Sequence, residues 1–193
     1  MEDENINLII SLYGQNDWKK ILKLNEKSKT PLSTRLLWVW PTKKNLKFMQ
    51  EVLIKNQVNG VISIGCGTGL FEWLLHKYTN LPVIGYEVNK EWWTSKYSMP
   101  QFIQVQFLNM PPKSEYLSED YALLFCYFNN GPAFQEYIDV YTGSLIFIIG
   151  PGKGRGTHTN PDPFKPNIKE NWKLCTYEEV GDTKDVIAVY CKI

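Results

Sequence analysis

Histidine is nearly absent from this chain of 193 residues, which has only His76 and His158. Cysteine is scarce too: Cys66, Cys126, Cys175 and Cys191 lie far apart, in no Cys-x-x-Cys spacing. A zinc site needs close pairs of thiols or imidazoles, so no metal is expected. An excess of either charge is also missing, since 21 basic and 20 acidic side chains leave a formal net charge of +1. That balance gives no general pull toward nucleic acid or an anionic membrane, although a local patch stays open. No apolar run reaches the length of a membrane-spanning helix. The first residues, Met1-Glu2-Asp3-Glu4-Asn5, are acidic and lack the basic start of a signal peptide. A cytoplasmic protein with reduced thiols, away from membranes, is therefore expected.

Apolar residues make up 44% of the chain and charged residues 21%, which suits a globular fold. The length allows one domain with a real core and falls short of two. Residues 5–25 mix apolar and charged positions at helical spacing, broken near Gly14. Together with a polar linker around Pro31 and the stretch LLWVWP, they make an N-terminal segment, 1–41, suited to act as a lid. From Thr42, a candidate N-cap, a helix is expected to about Asn56. Strands and helices then alternate. VISI (61–64), LPVIGYEV (81–88), FIQVQFL (102–108), YALLFCYF (121–128) and SLIFIIG (144–150) read as strands. Helices are expected through 71–77, 90–98 and from Pro132. NWKLCTYEEV (171–180) and DVIAVYCKI (185–193) read as a closing hairpin. The pattern predicts an α/β fold over 42–193: a three-layer α/β/α sandwich on a mostly parallel seven-stranded Rossmann-like sheet ending in an antiparallel hairpin.

The chemistry concentrates in VISIGCGTGLFEWLL, where an apolar strand runs into Gly65-Cys66-Gly67-Thr68-Gly69 and a helix follows at once. Glycines there allow a sharp turn, close approach of a ligand to the backbone, and free amides at a helix start. The next strand ends in Glu87, about 20 residues on, where an acid can accept hydrogen bonds from both hydroxyls of a ribose.

This strand, loop, helix, strand and acid resemble the class I S-adenosylmethionine-dependent methyltransferases. The resemblance covers roughly residues 42–193. It implies S-adenosylmethionine as cofactor, with Gly65, Cys66, Gly67 and Gly69 against its methionine portion and Glu87, followed by Val88, at its ribose. It further implies Leu108 or Asn109 near the adenine and Tyr127, Phe128 and Asn129 near the sulfonium. Two departures narrow the acceptor. After the fourth strand the chain has Phe128-Asn129-Asn130-Gly131-Pro132, without the Pro-Pro-aromatic platform of enzymes that methylate base amines. The paired glutamates typical of arginine methylation are missing as well.

Asn129 and Asn130 either turn the chain before the helix or face the acceptor. Residues 150–168 read as one long loop that leaves the ligand side of the fifth strand. On it Lys153 and Arg155 can meet a carboxylate or phosphate of a substrate, and His158 can serve as a base. Trp38 and Trp40 read first as packing residues; the alternative is that one of them, with Arg35, forms part of a lid over the cleft and meets the substrate. The expected function is methyl transfer to an acceptor that the sequence does not identify, an anionic small molecule being the natural guess. A cofactor-binding sensor or partner subunit without turnover, and a nucleic-acid methyltransferase directed by a partner, remain alternatives. Oligomeric state is not legible.

Overall fold

The computed structural model describes residues 2–27, 34–108 and 112–193. One sheet holds β1 (Gly60–Ile64), β2 (Val83–Glu87), β3 (Val105–Phe107), β4 (Tyr121–Cys126), β5 (Leu145–Pro151), β6 (Trp172–Val180) and β7 (Asp185–Lys192). Their order is β3-β2-β1-β4-β5-β7-β6. β7 pairs antiparallel with β5 and β6, while β1 to β5 pair in parallel. The helices are α1 (Glu2–Gly14), α2 (Trp18–Lys27), α3 (Lys43–Lys55), α4 (Leu70–Thr79), α5 (Lys90–Trp93) and α6 (Gly131–Val140).

Side chains alternate across the sheet, as strand geometry requires. Val61, Leu124, Phe147 and Val189 face the layer built from α1 to α4. Ile62, Leu123, Ile148 and Ala188 face α6. Two layers therefore sandwich the sheet, which is the α/β/α architecture expected. The α6 layer is the thinner. A loop, not a helix, follows β5 and covers that face, where the Tyr190 hydroxyl donates to the carbonyl of Pro163 at 3.0 Å.

The N-terminal helices share the core of the rest. Ile6, Ile9, Leu12, Ile21 and Leu22 are buried in one cluster with Leu46 and Met49 of α3 and Leu74 of α4. Tyr13 meets the rings of Trp73 and Phe102 edge-on, each at 4.9 Å.

Thr42 caps α3 as expected, and Asn45 completes a capping box by accepting from the Thr42 amide at 3.0 Å. Asn45 is buried and also donates to the Glu179 carbonyl at 2.8 Å, tying α3 to β6. Asn45→Ala removes both links and should cost about 1–2 kcal/mol. An unchanged urea midpoint would refute this.

Two elements are shorter than the sequence suggests. The helix expected over 90–98 stops at Trp93, and Ser98 folds back to donate to the Trp93 carbonyl at 3.0 Å. The strand expected over 102–108 begins only at Val105. The Phe102 amide donates instead to Thr68 of the glycine loop at 2.8 Å, which holds the chain off β2. Among the described residues no helix is long and apolar enough to cross a membrane.

Candidate functional site

Beyond β1 the chain turns through Gly65, Gly67 and Gly69, with φ of 69°, 60° and 75°. These angles are costly for any residue with a Cβ. The amides of Gly65 and Cys66 donate to the Tyr86 carbonyl at 2.9 and 3.3 Å, so the turn is laced to β2. At the end of β2, Glu87 Oε1 accepts from the Gly67 amide at 2.9 Å, and Oε2 lies 3.4 Å from the Val88 amide. Burial raises the Glu87 pKa, and hydrogen bonds from Gly67, Val88 and Trp93 oppose that rise. The acid and the glycine turn thus form one preorganised unit.

Two cavities meet at this unit. The larger, about 250 Å³, is lined by Gly65, Cys66, Gly67, Glu87, Trp93 and Tyr127 among others. The smaller, about 110 Å³, also contains Gly65 and Glu87, and is otherwise walled mainly by Val88, Phe128, Asn130 and Tyr137. Glu87 therefore stands at the junction of a hollow of mixed polar and apolar lining and a mostly apolar slot.

The N-terminal segment forms one wall. Thr68 Oγ1 donates to the Leu36 carbonyl at 2.7 Å, fixing residues 34–38 along the larger cavity. Trp38, 62% exposed, stacks on Tyr127 with ring centroids 5.7 Å apart and planes 10° apart. Tyr127 has a positive φ of 50°. Its hydroxyl donates to Asp185 Oδ1 at 2.7 Å, and Arg155 Nε donates to the same oxygen at 3.1 Å. Asp185 is buried. Burial and this bond raise the Tyr127 pKa. Four distant segments, at Trp38, Tyr127, Arg155 and Asp185, are thereby clamped together beside the cavity.

Of the residues singled out in the sequence, Gly65, Cys66, Gly67, Glu87, Tyr127, Val88, Phe128 and Asn130 line one or both cavities. Gly69 turns away, toward Ile103. Asn109 lies outside the described residues. Asn130 Oδ1 caps α6, accepting from the Ala133 amide at 3.1 Å. Asn129 Oδ1 accepts from the Asn160 amide at 2.9 Å, pinning the long loop to the end of β4. His158 is exposed and Trp40 is buried in the helical core; neither lines these cavities. Lys153 lies at a separate hollow of about 360 Å³, with Phe164, Tyr177 and Lys184. Burial pushes the Cys66 thiol well up, which suits packing and not nucleophilic attack.

Sequence reading missed Thr68, Asp185 and the pair Ser63–Glu72. Ser63 Oγ donates to Glu72 Oε1 at 2.6 Å beneath the larger cavity, which Glu72 lines. A lone acid within LFEWLL was the available signal. Among the described residues no group of three or more metal-ligating side chains forms.

No family model matches the sequence, and no curated protein matches it either. Solved structures do. Magnesium protoporphyrin IX methyltransferase from Synechocystis PCC 6803, solved with bound S-adenosylmethionine, superposes with a TM-score of 0.52. The match covers 98% of this chain and 97% of that one, at 8% identity. The chain has the class I methyltransferase fold. The methyltransferase domain of the bacterial protein CtHen1-C agrees, with a TM-score of 0.51 at 13% identity over 76% of this chain and 96% of that one. A class I sheet presents its ligand side at the carboxyl ends of the parallel strands. That is the edge where the glycine turn, Glu87 and Tyr127 lie.

Proposed function

We propose that the chain binds S-adenosylmethionine across the two joined cavities and transfers its methyl group to an acceptor bearing an anionic group. The meeting of both cavities at Glu87 carries this reading. An adenosine with an amino-acid tail needs a flat apolar slot, an acid for the ribose hydroxyls and a polar hollow, in that order. Val88 and Phe128 supply the slot, Glu87 the acid, and Gly65, Cys66 and Gly67 the hollow. When bound, the cofactor supplies a sulfonium methyl already activated for transfer, so the protein's task is alignment and exclusion of water.

Tyr127, held by Asp185 and covered by Trp38, stands where an acceptor would enter. Arg155 spends Nε on Asp185 and keeps further N–H donors for a carboxylate or phosphate. Asn129 fixes the loop that carries Arg155.

The test is labelled methyl transfer from S-adenosylmethionine into fractionated extract. Label should appear in acidic small molecules. Arg155→Ala should lower labelling about tenfold at limiting acceptor, with cofactor affinity unchanged. Label in nucleic acid, or tight cofactor binding with no labelled product, would overturn the acceptor or the enzymatic reading.

A further inference from the structure

Glu72 is, with Asp185, the most buried acid of the site, and it has no task in the reading above. It sits in the first turn of α4 at 1% exposure, facing the larger cavity. Ser63 on β1 satisfies one carboxylate oxygen. The other, Oε2, is buried and has no hydrogen-bond partner. Leaving such a group unpaired costs free energy that folding alone does not recover. Among the described residues no cation pairs with the Glu72 carboxylate. Cys66 and Cys126 feel its charge, their thiols kept neutral by burial, and Glu87 is a like charge across the cavity. Arg35 lines the same cavity from the N-terminal segment.

We infer that Glu72 is the counter-ion for the α-ammonium of the ligand's amino-acid head, with Ser63 as the residue that positions it. This rests on the cofactor reading above. A cavity with a half-satisfied, buried carboxylate in its floor suits a ligand that brings an ammonium. The amino-acid head of S-adenosylmethionine, or of its demethylated product, has that chemistry.

The arrangement also couples binding to a proton. Burial pushes Glu72 up to about 7, against the Ser63 hydrogen bond that favours the charged form. Below that pH the ligand-free protein holds a proton there. An arriving ammonium favours the ionised carboxylate and expels the proton. Ligands with the amino-acid head should therefore bind more tightly as pH rises from 5.5 to 7, with proton release. A nucleoside lacking the head should not respond.

Titration calorimetry on the full chain tests this with S-adenosylhomocysteine and with 5′-methylthioadenosine, the same nucleoside without the amino acid. Glu72→Gln keeps the shape of the protonated side chain. It should weaken S-adenosylhomocysteine binding about tenfold or more and leave 5′-methylthioadenosine within twofold. Heats measured at pH 6 in buffers of different ionisation enthalpy should show proton release for S-adenosylhomocysteine with the wild type and none with Glu72→Gln. Ser63→Ala should retain the proton release. Equal weakening of both ligands by Glu72→Gln would mean a purely structural acid and overturn the inference. Unchanged affinity without proton release would mean that a buried water serves Oε2, and would overturn it as well. Both outcomes leave the cofactor reading standing. Failure of the wild type to bind either ligand would sink the two together.

Discussion

Glu87→Ala should lose about 100-fold in affinity for S-adenosylmethionine and S-adenosylhomocysteine. The wild-type carboxylate is already oriented, since Gly67 and Val88 donate to its two oxygens and Trp93 adds a side-chain bond. A ribose then meets a fixed pair of acceptors and bears little of the cost of ordering them. Each hydrogen bond to a charged acceptor contributes roughly 1.5–3 kcal/mol, so losing two gives about 3 kcal/mol, or two powers of ten. Glu87→Gln keeps one acceptor and should fall between. Calorimetry on wild type and both variants reads the effect directly. Wild-type affinity in Glu87→Ala would remove the carboxylate from the site and leave the junction of the two cavities without a purpose.

That acid was legible in the sequence because its chemistry is local. A buried strand, a glycine turn and the end of the neighbouring strand fall within 28 consecutive residues, Gly60 to Glu87. The strands were legible for the same kind of reason. Each of β1, β4 and β5 is buried over nearly its whole length, so each reads as a nearly continuous apolar run, broken in β1 only by Ser63. The clamp beside the cavity was not legible. Tyr127 and Asp185 are 58 positions apart, and Asp185 looks like any acid opening a strand after a turn. Glu72 was hidden differently, since an acid in the first turn of a helix is ordinary complement to the helix dipole. Only tertiary packing shows that its face is the buried one. Similar logic separates Trp38 from Trp40. Both lie in one apolar stretch, and the Thr68–Leu36 hydrogen bond helps hold 34–38 along the cavity, while Trp40 packs into the core.

Gly69→Ala should lower the melting temperature by roughly 6–12 °C. Two separate costs add at this position. Its φ of 75° is left-handed, which a Cβ makes unfavourable by about 1–2 kcal/mol. The Cβ would also lie 2.3 Å from Cγ1 of Ile103 and 3.4 Å from its Cβ. Ile103 has little room to retreat, because its neighbour Phe102 is buried and bonded through its amide to Thr68 at 2.8 Å. Overpacking of this kind costs about 1–3 kcal/mol. A total near 3 kcal/mol, at about 2–4 °C per kcal/mol for a domain of this size, gives the expected shift. Gly156→Ala is the control, with φ of 82° and nothing within 4 Å of its Cβ, so it carries the backbone cost alone. The difference between the two variants measures how rigidly Ile103 is held against the glycine turn. If both melt at the same temperature, Ile103 moves aside freely and the turn is not braced from that side. A large difference means that the loop proposed to cradle the cofactor is stiffened by packing against Ile103, which is what a preorganised site requires.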